Sequence, residues 1–529
     1  MVKSAAPVPC WGALLRSKPV FSIIGVLALG HGDLSLHGQS GRLPVDIIRQ
    51  PTGGISLTWS TVPGRTYDIQ TATDLTLGWG TSPFPGAPQI ATGFSQGIDL
   101  QPSTLGQFIR LREGTSPYDP VWESVAPLRT LFFSYDSTRT SEQNGARLKA
   151  ALVALIPGDR LEITTGTYSI NSYTTLNLTG TSVAPIWVTA APGAQVVITR
   201  PDANQNLLNF GSGAPARYLC LRGIEFVGGS DGLRLYDCAQ IWIDRCRVHE
   251  SGDVGISANA VNTSHIHLTR NEVWNTGRAG DTGEGFYLGG NNGSVIMSES
   301  IIALNHVHDT RNGPSQGDGI ELKQGSWGNL IAANHVHDCN YPCILVYGTA
   351  GKPVNVVENN LCYRSGDNTM QIQGECIVRN NLIIAGDGSA FASQTHQGAP
   401  IHLQVLYNTF VNVGTAVRLS QWSAAAGMVF ANNACYSQTG AALNAVGGLS
   451  GVRLGGNVTL GTVTAGLTGF KAGHGLEDFM DLAWDASHRD ARPAPSSLLR
   501  TGADNTITVG FDLEFLPRFA PQIVGCKIP

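Results

Sequence analysis

Between Leu233 and Ser420 the chain repeats one short pattern, in which two apolar residues flank one outward position, often after a glycine. It recurs at Leu233 and Leu235, Ile256 and Ala258, Phe286 and Leu288, Ile320 and Leu322, Ile344 and Val346, and Met370 and Ile372. Period-two alternation is the mark of a half-buried strand. A second pattern, apolar-x-x-Asn-x-apolar, interleaves with the first at Asn271, Asn305, Asn334, Asn359, Asn380, Asn408 and Asn432, with spacings of 34, 29, 25, 21, 28 and 24 residues. Cys246 occupies the same slot 25 residues before Asn271. Such spacing fits one coil of three short strands plus turns, repeated along the chain. Asparagine suits the slot because stacked amides bond from rung to rung and because Asn tolerates a left-handed bend.

Stacking the first pattern in register aligns the outward residues. One column reads Arg234, Ser257, Tyr287, Glu321, Leu345 and Gln371. The next reads Tyr236, Asn259, Gly289, Lys323, Tyr347 and Gln373, and a later rung adds Arg418 and Ser420. Adjacent rungs lie about 4.8 Å apart, so these residues form a continuous polar stripe.

One helix is predicted, over Thr140–Ile156. Thr140 and Gln143 have capping-box spacing, and Leu148, Leu152, Leu155 and Ile156 make the apolar stripe. Pro157-Gly158 ends it. Residues 44–114 carry short alternating strands, such as Ile55–Trp59, Tyr67–Gln70 and Phe108–Leu111, and read as a small antiparallel β-sandwich. Residues 115–139 read as a linker and lead-in.

Composition narrows the class. Of 529 residues only 14% are charged and 64 are glycine, the balance of a turn-rich β protein rather than a helical rod. A hydrophobic share of 42% is enough for a core, which excludes disorder. The net charge of −5 argues against a nucleic-acid partner. Residues 1–30 have the form of an export signal: Lys3, Arg16 and Lys18, then an apolar stretch too short to span a bilayer, then small residues at Ala28 and Gly30. A secreted, monomeric protein without a membrane span is expected. Nine cysteines follow the leader, an odd number, so at least one thiol stays unpaired within the chain. Disulfides are compatible with export, and small buried side chains are the other reading.

The helix, Pro157-Gly158-Asp159 and the strand leading to Gly166-Thr167-Tyr168 resemble the opening cap of right-handed parallel β-helix proteins. The main domain, residues 140–529, resembles the pectate-lyase-like superfamily, including a degenerate form of its common end over Gly510–Cys526. The front module is similar to fibronectin-like accessory modules of exported bacterial proteins. The implied fold class is all-β, a right-handed parallel β-helix behind a small N-terminal sandwich. The fold hosts lyases, hydrolases and non-enzymes, so it does not by itself assign a reaction.

The run Gly317–Asn329 resembles the Glu-x-Lys strand of β-helix lyases that act on uronate polysaccharides. β-Elimination needs a base beside a carboxylate and a cation to neutralise it. The resemblance implies Lys323 as base or neutraliser, Glu321 as its orienting partner, and Tyr287 or Tyr347 as acid or sugar platform. Arg234, Glu284, Gln371, Gln373 and Arg418 would line a groove for the polysaccharide. Those lyases also place an arginine on the following coil. Here that rung carries Leu345 and Tyr347, and the nearest candidates are Arg311 and Arg364. Gly-rich stretches at 276–284 and 309–318, bearing Asp281, Glu284, Asp309, Arg311 and Asp318, would wall the groove. They also support a glycoside hydrolase alternative, with Asp318 paired to Glu284 or Glu321. A non-catalytic glycan-binding solenoid is the third reading, and the bland reading of Glu321 and Lys323 is a solvated ion pair.

The motif Asn-His-Val-His-Asp occurs at 305–309 and again at 334–338, so that His306 stacks on His335 and His308 on His337, with His249 earlier. Four imidazoles on neighbouring rungs suit a zinc-like ion. The preferred reading is an outward polar ladder on a different sheet from Glu321 and Lys323, and no metal is assigned. Clustered carboxylates leave calcium open as a cofactor.

Overall fold

The computed structural model describes residues 116–279, 282–310, 316–516 and 518–529. The leader, the front module, Asp281 and Arg311 lie outside the described residues. The body over Tyr118–Pro529 is a parallel β-solenoid of about a dozen coils. Each coil contributes a strand to three columns. The first column runs from Arg129–Phe133 to Arg453–Gly455. The middle column runs from Gly166–Ser169 to Phe470–Ala472, and the third from Thr175–Leu176 through Val417–Ser420 to the end of the long strand Ala434–Val446.

The register of the third column is the one expected from period-two stacking. Arg234 pairs with Ser257, Ser257 with Tyr287, Tyr287 with Glu321, Glu321 with Leu345, and Leu345 with Gln371. Gln371 then pairs with Ala392 and Ala392 with Arg418. Their neighbours Phe286, Leu288, Ile320, Leu322, Ile344 and Val346 are fully buried in one continuous core.

Asparagines stack between the first and middle columns, one residue away from the expected place in three coils. The backbone N–H of each donates to the Oδ1 of the next, from Asn271 through Asn305, Asn334, Asn360, Asn381, Asn408 and Asn433 to Asn457, at 2.9–3.0 Å. Cys246 joins this column by donating to Asn271. Asn359, Asn380 and Asn432 instead precede it, with φ of 58°, 56° and 58°. Leu304, Ala333 and Tyr407 take that same left-handed slot in other coils. The bend therefore tolerates many side chains, and the amide that bonds from coil to coil follows it. The outer asparagines hold the C-terminal segment: Asn359 Nδ2 donates to the Asp512 and Leu513 carbonyls, Asn380 to Phe511 and Asn432 to Asp504.

The helix covers Ser141–Val153, with both capping-box bonds between Thr140 and Gln143. It ends before the expected Ile156, which is exposed, because Pro157 disfavours helix in the residue before it. Leu148, Leu152 and Leu155 close the core over the first coil. Residues 118–122 are part of the body rather than a linker. Trp122 packs against Trp187 and Trp242, and Asp119 bonds Arg270. The nine cysteines from Cys220 to Cys526 are buried and free. No helix among the described residues is long and apolar enough to cross a membrane.

Gly285 and Gly319 make the corner between the middle and third columns. A Cβ at Gly319 would overlap a Val336 methyl and the Cys343 carbonyl, and one at Gly285 a Val307 methyl and the Gly319 carbonyl. These glycines let Glu284 and Asp318 enter the third column directly ahead of its strands. Gly319→Ala is expected to destabilise the protein by about 1–3 kcal/mol through overpacking. Urea unfolding checks this, and an unchanged midpoint would contradict it.

Candidate active site

Strand pairing brings Tyr287, Glu321 and Tyr347 onto neighbouring rungs, and the residue after Leu322 places Lys323 beside Glu321. The ammonium of Lys323 donates to Glu321 Oε1, and the Tyr347 hydroxyl donates to the same oxygen at 3.3 Å. Lys323 Nζ stands 4.5 Å from the Tyr287 ring centre and 5.3 Å from that of Tyr347. Beneath them, Glu284, Asp318 and Glu321 each offer an oxygen within 4.8 Å of the others.

Glu321 and Lys323 are not a solvated pair on an open strand. They are only 3% and 6% exposed, and Tyr347, Gln371 and Gln373 are equally buried. Part of the cover comes from the loop after Phe391–Ser393. His396 Nε2 lies 3.1 Å from the Tyr347 hydroxyl and His396 Nδ1 lies 3.3 Å from Gln371 Nε2, while Tyr287 and His396 remain half-buried.

Burial sets the charge states. It pushes Glu284 up to about 7, with the Glu321 carboxylate adding to the effect. Asp318 rises well above the ordinary carboxyl value, from burial and then from Glu321 and Glu284. Burial also raises Glu321, against the opposing pull of Lys323. For Lys323 burial acts downward, but Glu321 and Tyr287 outweigh it and hold the ammonium protonated. Burial and Glu321 raise the Tyr347 phenol, whereas burial and Lys323 lower His396. Near neutral pH the group thus comprises a cation, a protonated phenol and a neutral imidazole around partly protonated carboxyls.

The family model for the right-handed β-helix region matches residues 211–354 and 305–435. The body over Tyr118–Pro529 is a right-handed parallel β-helix. Solved structures similar to this chain include a pectate lyase, 14% identical, covering 77% of this chain and 97% of that one with a TM-score of 0.45. An alginate lyase from Paenibacillus sp. str. FPU-7 is 16% identical, covering 61% of this chain and 97% of that one with a TM-score of 0.39. The complex of XylC with xylose is 9% identical, covering 75% of this chain and 98% of that one with a TM-score of 0.42. No curated protein matches by sequence.

Across this β-helix the remaining predicted residues fall into three groups. Gln371 and Gln373 join the centre. Arg234 lies two rungs before Tyr287, bound to Asp231 and Asn259. Arg418 lies two rungs beyond Gln371 and donates to Gln394. Arg364 belongs to the middle column, where it pairs with Asp338, so it does not supply the cation sought on the following coil. His396 was not among the predicted residues. Its only sequence signal is a lone histidine in a Gln- and Gly-containing loop after a third-column strand.

Three buried carboxyl oxygens, Glu284 Oε1, Asp318 Oδ1 and Glu321 Oε2, lack a hydrogen-bond partner, as does Gln373 Oε1. Such an all-oxygen set fits a hard cation of the calcium type. It also strains the fold. Glu284 stays protonated in the folded protein at pH values where the unfolded chain has released the proton. Stability therefore falls as pH rises from the ordinary Glu value through about 7. Glu284→Gln is expected to stabilise the protein by up to about 3 kcal/mol near pH 8 in chelator, and hardly at all near pH 5. Unfolding midpoints at the two pH values check this, and a pH-independent difference would contradict it.

Proposed function

We propose that the protein is a polysaccharide lyase that cleaves an acidic, uronate-containing chain by β-elimination. The observation that carries this reading is the sheltered Lys323 ammonium, with the Tyr347 phenol and the neutral His396 imidazole beside it. A uronate carboxylate docks against Lys323, which neutralises it and so acidifies the neighbouring C–H. His396 takes that proton. The C4–O bond breaks as the C4–C5 double bond forms, and the leaving oxygen takes the Tyr347 proton. The imidazolium then returns its proton to the phenolate across their 3.1 Å contact, so the site ends as it began. Glu321 holds Lys323 in position, and the half-buried Tyr287 ring offers a sugar platform. The Glu284, Asp318 and Glu321 oxygens would hold a calcium-type ion, which would add positive charge near the substrate carboxylate.

A glycoside hydrolase is the second reading, favoured by the protonated Glu284 carboxyl. Its carboxylates need to flank the scissile bond, about 5–5.5 Å apart when retaining and about 6.5–9.5 Å when inverting. Here each of the three carboxyls offers an oxygen within 4.8 Å of the others, closer than either spacing, which favours the lyase. The test is a panel of alginate, pectate, chondroitin-type and neutral polysaccharides, with ultraviolet absorbance and reducing ends followed together. The lyase gives both signals on an acidic chain. Reducing ends alone would replace it by the hydrolase, and binding without either signal by a glycan-binding solenoid.

A further inference from the structure

The repeated Asn-His-Val-His-Asp motif lies on the outer face of the middle column, away from Lys323. As its spacing implies, His306 pairs with His335 and His308 with His337. The rings continue a stack that starts at His249 and Trp274 and ends at Tyr363. The closest approach is diagonal, however. His306 Nε2 lies 2.9 Å from His337 Nε2, and one ring nitrogen each of His306, His335 and His337 falls within 4.8 Å of the other two.

We propose that His306, His335 and His337 form a binding site for a first-row divalent transition ion, zinc foremost, that clamps two adjacent coils together. Three features support it. Asp338 Oδ2 lies 2.5 Å from His337 Nδ1, so this nitrogen keeps its proton and Nε2 presents its lone pair. Such a carboxylate behind a histidine is the usual orienting device in metal sites. His335 Nε2 lies 2.9 Å from the Tyr363 hydroxyl, and donating its proton to that oxygen leaves the Nδ1 lone pair free for an ion. His306 donates its Nε2 proton to His337 without the ion. When the ion binds, the His306 proton moves to Nδ1, which faces Glu272 Oε1 at 3.6 Å.

Two nitrogens on one tetrahedral zinc stand about 3.3 Å apart, so the His306 and His337 rings need to spread only slightly. The His306 side chain is 38% exposed, which gives an ion access. Arg364 and Arg489 oppose the ion, the first already bound to Asp338 and the second stacked on Tyr363. Glu272, Asp309 and Asp338 balance them. His308 Nδ1 is held by Asp309 at 2.7 Å, and its Nε2 faces Glu272 Oε1 at 3.5 Å.

The test is titration of the chelator-stripped full chain with zinc, calcium and magnesium chlorides, read by calorimetry and by the unfolding midpoint. Cobalt loading, read by its visible spectrum, gives a measure that does not depend on any variant. One zinc per chain, a raised midpoint and a tetrahedral cobalt spectrum are expected. His306→Gln and His337→Gln should abolish all three, and Asp338→Asn should weaken zinc binding tenfold to a hundredfold. Calcium retaining its effect in these variants would mark the carboxyl site instead. Zinc binding that survives both histidine variants, or no binding at about 100 μM zinc, would overturn the proposal.

Discussion

Lys323→Ala is expected to lower turnover on an acidic polysaccharide by about a thousandfold or more, with circular dichroism and elution volume unchanged. Lys323 is the only ammonium in contact with Glu321 among the described residues, and it meets both flanking tyrosine rings. Without it the substrate carboxylate would face Glu321, and the adjacent C–H would lose its activation. The fold should survive because Glu284 and Asp318 are already shifted toward their neutral forms, so Glu321 can take up a proton in place of its partner. Lys323→Arg keeps the charge but not the compact head group, and should recover only part of the rate. Full turnover in Lys323→Ala would remove the basis of the assignment.

Tyr347→Phe is expected to cost about a hundredfold to a thousandfold, the usual range for losing one positioned acid. The hydroxyl sits between Glu321 Oε1 at 3.3 Å and His396 Nε2 at 3.1 Å, so the substitution removes both bonds and leaves the ring in place. His396→Gln should fall in the same range. Because the two groups exchange one proton, the double variant should lose little more than either single variant. Additive losses would show that the two residues act separately. With Tyr347→Phe, kcat should fall while KM changes little, since the hydroxyl is proposed to act in the transition state.

Much of this candidate site is legible in the sequence. Period two and coil stacking are local rules, so the columns bearing Tyr287, Glu321, Lys323 and Tyr347 followed from spacing alone. The same rules placed the histidines on another face. Where two asparagines stand side by side, spacing cannot say which one turns inward. That choice depends on which residue takes the left-handed bend, as Asn359 does ahead of Asn360. The burial of Glu321 and Lys323 was also hidden. Its cover includes the His396 loop, which belongs to a later coil, and no periodic signal links a loop to the strand it shelters. The diagonal contact of His306 with His337 likewise depends on side-chain rotation, which strand register leaves open.

The most direct test of the central claim is to digest the acidic polysaccharide that responds, in water enriched in heavy oxygen, and weigh the products. β-Elimination adds no water, so apart from oxygen exchange at the new reducing end the fragment masses should sum to that of the parent, with one fragment unsaturated. A fragment heavier by one labelled water would mean hydrolysis and would contradict the account.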